Sequence, residues 1–224
     1  RRDRRPHDGV LTGRAFSSMH GMSPVADRPL FDDEHRAFRT SFAAFVAREF
    51  APDYMDWERS GLMPREVFAT AGRFGFVGLS VPERYGGGGS TDFRFNQVIG
   101  EEFAAAGIGG AGLGITLHND IVTPYFTEYC TDEQAQRWLP GIASGELITA
   151  VAMTEPGTGS DLAGIATTAR RDGDEYVLNG SKTFITNGIN ADVVIVAAKT
   201  DPAQRHSGIS LLVVERGMPG FERG

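Results

Sequence analysis

The sequence predicts an α+β chain, with an N-terminal all-helical domain followed by a smaller, incomplete β-barrel-like domain. Three observations predict it. Apolar residues recur at helical spacing through the first half. Near Ile148 that period gives way to strand-like alternation and to apolar runs separated by Asx-Gly dipeptides. Helices come first and strands second, which argues for segregated α and β regions rather than alternating βαβ units. On this reading residues 1–28 are a disordered or non-native extension, 29–148 the helical domain, and 149–224 the β domain.

The extension "RRDRRPHDGVLTGRAFSSMHGM" lacks periodicity. An arginine- and serine-bearing start suits an organellar transit peptide, but such peptides avoid acids and this one carries Asp3 and Asp8. Upstream translated sequence ahead of a true start at Met19 or Met22 is the preferred reading. In "FDDEHRAFRTSFAAFVAREF", Phe31, Phe38, Phe42, Phe45 and Phe50 lie near helical spacing behind acids suited to a first turn. "MPREVFATAGRFG" offers Pro64 at a helix start and Gly75 near its end. "TDFRFNQVIGEEFAAAG" puts Phe95, Val98, Ile99, Phe103 and Ala106 on one face, with Gly107 as a stop. "TDEQAQRWLPGIASGE" opens with Thr131 and Gln134 at capping-box spacing. Beyond Ile148, Asp172-Gly173, Asn179-Gly180 and Asn187-Gly188 suit tight hairpin turns. "DVVIVAAK" and "GISLLVVE" follow as apolar strands. The chain stops at Gly224, soon after the second of them, which suggests a fragment.

Composition narrows the function classes. Of 224 residues 41% are hydrophobic, enough for a real core. The lone Cys130 cannot form an internal disulfide or build a zinc site. No apolar run approaches the roughly 20 residues of a membrane span. Residues 1–28 carry six arginines against three acids, whereas the rest of the chain is strongly acidic within a net charge of −7. An acidic body is a poor partner for nucleic acid, and phosphate-bearing ligands would need local groups to hold them.

Several motifs carry less than they suggest. "GIGGAG", Gly107 to Gly112, has the G-x-G-x-x-G spacing, but a helical segment precedes it where a dinucleotide fold needs a strand; it reads as a flexible interhelical loop. "RYGGGGSTD" has no Gly-Lys-Ser/Thr and reads as a mobile linker, with a substrate-adjacent loop as the alternative. Ser160 is not in a G-x-S-x-G elbow. His118 reads as a helix residue without catalytic meaning. Glu155 and Asp161 could pair as acid and base, but carboxylates beside such a turn more often bind backbone amides.

Two stretches remain. "AVAMTEPGTGSD" runs from a strand into a loop with little side-chain bulk, and "SKTFITNG" alone reads as a hairpin with a buried Phe184. Taken together, they could bring Thr154 and Thr186 from two strand ends to one planar ligand. Hydroxyls and free amides would meet its polar edge, and Phe184 would pack on its face.

The long stretch "AMTEPGTGSDLAGIATTARRDGDEYVLNGSKTFITNG" closely resembles the central signature of the acyl-CoA dehydrogenase family. The resemblance extends through "GFVGLSVPERYGGGG", "EEFAAAG" and "LPGIASGELITAVAMTEPG", and so covers about residues 30–224. "LNGSK" and "DVVIVAAKT" look most like the long-chain type. The resemblance implies a third domain, a C-terminal four-helix bundle, absent from this chain. It also implies FAD, an acyl-CoA substrate oxidised to the trans-2-enoyl-CoA in fatty acid β-oxidation or related acyl-CoA catabolism, an electron-transferring flavoprotein as acceptor, and a homo-oligomer. The compartment would be the bacterial cytoplasm or, alternatively, the mitochondrial matrix.

Carried over by position, Val151, Ala152, Met153, Thr154, Glu155, Pro156, Gly157, Thr158, Gly159 and Ser160 would line the flavin, with Phe184, Ile185 and Thr186 packing on it from the second stretch. Ser160, His206 and Ser207 would lie near the acyl-CoA. Many relatives have Trp at Phe184 and Ala at Thr158. The family's catalytic glutamate belongs to the C-terminal domain, which places it beyond Gly224, so no base is assigned within this chain. An acyl-CoA oxidase, a nitroalkane-oxidising relative and a non-catalytic binding module of the same fold stay open as alternatives.

Overall fold

The structure, a computed structural model, describes residues 28–224. The expectations for the extension, including a start at Met19 or Met22, lie outside the described residues apart from Arg28. Among the described residues, seven α-helices precede the first strand: α1 (Asp33–Glu49), α2 (Tyr54–Ser60), α3 (Glu66–Arg73), α4 (Arg94–Ala105), α5 (Gly109–Thr116), α6 (Thr123–Tyr129) and α7 (Asp132–Ser144).

Local chemistry explains the helix ends. Asp32 caps α1 by accepting from the Glu34 and His35 N–H groups. Thr131 and Gln134 form the expected capping box at α7. Each such cap satisfies amides that have no intrahelical partner and contributes about 1 kcal/mol. Gly75 and Gly107 take positive φ just beyond the ends of α3 and α4.

The apolar faces of α1, α3 and α4 meet in an aromatic core. Phe42 is fully buried, with ring centroids 4.9 Å from Phe76 and 5.1 Å from Phe103, both edge-on. Phe45 and Phe50 close the same cluster.

Two glycine-rich segments differ from the sequence expectation. "GIGGAG" is not a flexible loop: from Gly109 it is the first turn of α5. Glycine weakens a helix by about 1 kcal/mol per residue against alanine. Here the packing requires it, since a Cβ on Gly112 would lie 2.5 Å from Phe103 Cγ. "GGGG" is not a mobile linker either. The Gly88, Gly89 and Ser90 amides bond to the Gly78, Val81 and Leu79 carbonyls, which ties the loop back onto residues 78–81.

α5 continues through a π-helical turn, Leu117–Val122, into α6. His118 and Asn119 are buried in that turn. Asn119 accepts from the Gly78 amide at 3.0 Å and donates to the Phe76 carbonyl at 2.8 Å.

Five strands follow: β1 (Thr149–Ala152), β2 (Thr168–Asp172), β3 (Glu175–Asn179), β4 (Val193–Lys199) and β5 (Ile209–Glu215). The sheet order is β1-β4-β2-β3, with β5 also paired to β4. β1 runs parallel to β4 from Thr149↔Val193 to Ala152↔Val196, and β5 runs antiparallel to it. β2 meets β4 only at Thr168↔Lys199. Among the described residues this is an open mixed sheet that does not close on itself. β5 is its last strand, and Arg216 to Gly224 follow as turns and irregular backbone.

Only one of the three Asx-Gly dipeptides makes a hairpin. β2 and β3 pair through Asp172↔Glu175, leaving Gly173-Asp174 as the two-residue loop, with Gly173 at φ +62°. Asn179-Gly180 and Asn187-Gly188 lie instead at the two ends of an irregular segment between β3 and β4. Among the described residues no helix is long and apolar enough to cross a membrane.

Candidate functional site

β1 ends at Ala152, and the chain then leaves the sheet as "MTEPGTGSD". Part of this stretch is a tight turn. The Glu155 amide donates to the Thr158 carbonyl at 2.9 Å and the Thr158 amide donates to the Glu155 carbonyl at 3.1 Å, with Pro156-Gly157 at the tip. The Thr158 hydroxyl donates to the Asp161 carbonyl at 2.7 Å. Asp161 in turn accepts from the Ala163 amide and caps a 3-10 turn, Leu162–Gly164.

The segment after β3 folds back against this loop. The Thr183 amide donates to the Thr154 carbonyl at 3.0 Å, and Lys182 Nζ donates to the Met153 carbonyl, also at 3.0 Å. The two stretches singled out in the sequence are therefore adjacent at their backbones. Phe184 is not the buried hairpin residue that "SKTFITNG" suggests by itself. It is 92% exposed, at φ +55°. A non-glycine residue in that region is strained, and such strain collects at ligand-binding sites. Ile185 turns inward against the cluster of Ala150, Ala152 and Val194.

Ile185 and Thr186 also line a cavity of about 240 Å³, whose walls include Met63, Gly110 and Gly114. The participation of α5 was not legible in the sequence, because it depends on how the helical half meets the sheet. A Cβ on Gly114 would lie 2.7 Å from Asn187 Oδ1.

The carboxylate of Glu155 is only 7% exposed and is fully engaged. It accepts from Lys182 Nζ at 2.8 Å, from the Ala166 amide at 2.6 Å and from the Thr167 amide at 3.0 Å. Burial pushes its pKa upward, but Lys182 and the two backbone amides outweigh that and bring it down to about 2. It is an ionised structural anion rather than an acid–base catalyst. Ala152 is likewise buried and Val151 half-buried.

Pro156, Gly157, Gly159 and Ser160 are exposed at the loop surface. At Gly157 and Gly159 a Cβ would meet no atom within 4 Å, so protein packing does not account for glycine there. His206 and Ser207 are exposed on a 3-10 turn, His206–Gly208, between β4 and β5. The Arg205 guanidinium lies 4.0 Å from the Asp161 carboxylate, which sets this turn beside the glycine-rich loop.

Sequence reasoning assigned no role to Lys182 and gave Asn187 only a place in an Asn-Gly turn, although both stand in "SKTFITNG". The available signal was a lysine set among apolar and hydroxyl residues in a chain with only one other lysine, Lys199.

At the far end of β1, His118 joins the helical half to the sheet. Its Nε2 donates to the Ile142 carbonyl at 3.0 Å, and its Nδ1 accepts from the Thr149 amide at 3.3 Å. The carbonyl can only accept, which fixes the proton on Nε2. Burial pushes the pKa down from 6.5 to about 4.

The chain is similar to known proteins along nearly all of its described length. The description "Acyl-CoA dehydrogenase, N-terminal domain" matches residues 32–146, and "Acyl-CoA dehydrogenase, middle domain" matches residues 150–224, as far as Gly224. The long-chain specific acyl-CoA dehydrogenase of Mus musculus mitochondria is 42% identical over 97% of this chain and 50% of its own length. The crystal structure of an acyl-CoA dehydrogenase from Geobacillus kaustophilus superposes with a TM-score of 0.83 at 55% identity, over 87% of this chain and 51% of that one. A glutaryl-CoA dehydrogenase from Mycobacterium smegmatis, solved in complex with FADH2, has a TM-score of 0.77 at 32% identity, over 86% and 48%. The chain spans about half the length of these relatives. With two adjoining domains of one family matched in order along the described residues, the chain belongs to the acyl-CoA dehydrogenase family.

Proposed function

We propose that this chain forms the flavin-binding part of an enzyme that oxidises acyl-CoA thioesters to trans-2-enoyl-CoA in fatty acid β-oxidation, with long-chain substrates. One observation carries the reading. The bonded pair of strand-end segments leaves Phe184 exposed, and among the described residues the Thr154 and Thr186 hydroxyls have no protein partner.

The residues fit FAD. A planar ring needs an apolar face and hydrogen-bonding groups at its edge, and this corner offers an exposed phenyl ring, two threonine hydroxyls and strand-end backbone. The open space at Gly157 and Gly159 lets a ligand approach the backbone. When bound, FAD supplies the two-electron acceptor. The roles of the chain itself are to bind and orient. Met153 to Ser160 hold one side of the cofactor and Phe184 to Thr186 the other, while Ser160, His206 and Ser207 meet the acyl-CoA. The electron acceptor is an electron-transferring flavoprotein, and the whole enzyme is a homo-oligomer.

Glu155 takes no part in proton removal, because its carboxylate is buried and its oxygens are committed to three donors, which also make it a weak base. The proton-accepting glutamate is placed outside this chain, as the family resemblance implies. The 224-residue chain alone should therefore bind FAD without turning over acyl-CoA. Titration of the purified chain with FAD, followed by fluorescence quenching, should give saturable one-to-one uptake; no uptake overturns the proposal. Turnover is tested by dye reduction with saturated acyl-CoA thioesters, on a protein of the relatives' full length that carries this chain. Reduction with none of them overturns the activity. Dye reduction by the chain ending at Gly224 would overturn the placement of the base.

A further inference from the structure

The segment between β3 and β4 is fastened at both ends and presented in the middle. At its start, Lys182 Nζ bonds to the Met153 carbonyl and to the Glu155 carboxylate. That ion pair is nearly dry, with the Lys182 and Glu155 side chains 10% and 7% exposed. Glu155 also accepts from the Ala166 and Thr167 amides, so a single carboxylate ties together the glycine-rich loop, the approach to β2 and the segment after β3. At the other end, the Asn187 side-chain amide donates to the Gly114 carbonyl at 2.9 Å and the Thr149 carbonyl at 3.2 Å. This fastens the segment to α5 and β1 together. Asn187 sits at φ +63°, a region asparagine tolerates better than most residues.

Between the anchors lie Phe184, Ile185 and Thr186. Phe184 holds a strained φ of +55° with its ring almost wholly in solvent, so its own packing cannot stabilise that conformation. The bonds on either side must do so.

We propose that Lys182, through Glu155 and the Met153 carbonyl, and Asn187, through the Gly114 and Thr149 carbonyls, are positioning residues that hold Phe184–Thr186 in the binding conformation before any ligand arrives. The proposal rests on the flavin reading of the site for its ligand, but the preorganisation is a property of the chain alone. Ordering carried out during folding does not have to be repeated on binding, so affinity is higher than for a loose segment.

The test compares the wild-type chain with Lys182→Met, Lys182→Arg and Asn187→Gly. Hydrogen exchange is read without ligand, and FAD binding by fluorescence quenching. In Lys182→Met, exchange at the Thr183, Ala166 and Thr167 amides should accelerate about tenfold or more, the scale of one lost charged hydrogen bond. Amides of β4 should be unchanged. Asn187→Gly relieves the positive φ yet removes the second anchor, so FAD should still bind more weakly. Lys182→Arg keeps a cationic donor and should recover most of the affinity lost in Lys182→Met.

Local exchange that does not change, or that rises equally in β4, overturns the positioning role. So does a wild type and a Lys182→Met variant that bind FAD alike. A wild type that takes up no FAD sinks the flavin reading instead, and the exchange data alone then decide the anchors.

Discussion

The aromatic core of the helical half and the strand-end corner are held by different forces. Around Phe42 the chain buries phenyl rings edge to face. Around Glu155 and Lys182 it buries an ion pair and uses it to fix loops of little bulk. The aromatic core gains from area and packing, terms that do not depend on pH. The corner gains from directional bonds, and each is costly if one partner is lost. The difference teaches where this fold stores stability and where it stores shape.

The largest test of that contrast is Phe42→Ala. Removing a fully buried ring from the cluster should cost about 3–5 kcal/mol in denaturant unfolding. A loss below about 1 kcal/mol would mean the aromatic core does not carry the helical half.

The next is pH. His118 is neutral and buried, with a folded pKa near 4 against an ordinary 6.5. Between those values the unfolded chain binds a proton that the fold refuses. Stability should fall by about 3 kcal/mol as pH drops from 6.5 to 4. In His118→Gln that dependence should flatten, on a fold already weaker at about pH 7. Glu155 acts lower. Its pKa is depressed from 4.5 to about 2, so its contribution is full above 4.5 and is lost as pH falls toward 2. Near-ultraviolet circular dichroism against pH separates the two windows, and an identical profile in wild type and His118→Gln would refute the assignment.

The smallest is Thr131→Ala at the α7 capping box. It should cost about 1 kcal/mol, read as a lower unfolding midpoint. FAD affinity should not change, because the cap belongs to the helical half. An altered affinity would show that the two regions are not energetically separate.

Much of the helical half was legible because its signals are local. Phe42, Phe45, Val98, Ile99 and Phe103 announce their helix faces by spacing, and Thr131 with Gln134 announces a helix start. The two candidate site stretches stood out as well, the first by its loss of bulk after a strand and both by family resemblance. The glycine segments misled. "GIGGAG" and "GGGG" have the composition of loose connections, and only their contacts with Phe103 and residues 78–81 make them ordered. The hairpin signal worked at Gly173, where flanking strands pair, and failed at Gly180 and Gly188, where they do not.

The sequence by itself determined the order of helices and strands, the caps, and the residues that the two site segments bring. The tertiary structure decided that Phe184 faces solvent, that Glu155 is spent on Lys182 and two amides, and that α5 walls the cavity. Propensity and periodicity act over a few residues, whereas these outcomes rest on pairs such as Glu155–Lys182 and Gly114–Asn187, 27 and 73 positions apart. No local pattern encodes which distant group will arrive to satisfy a buried charge or to fill the space beside a glycine.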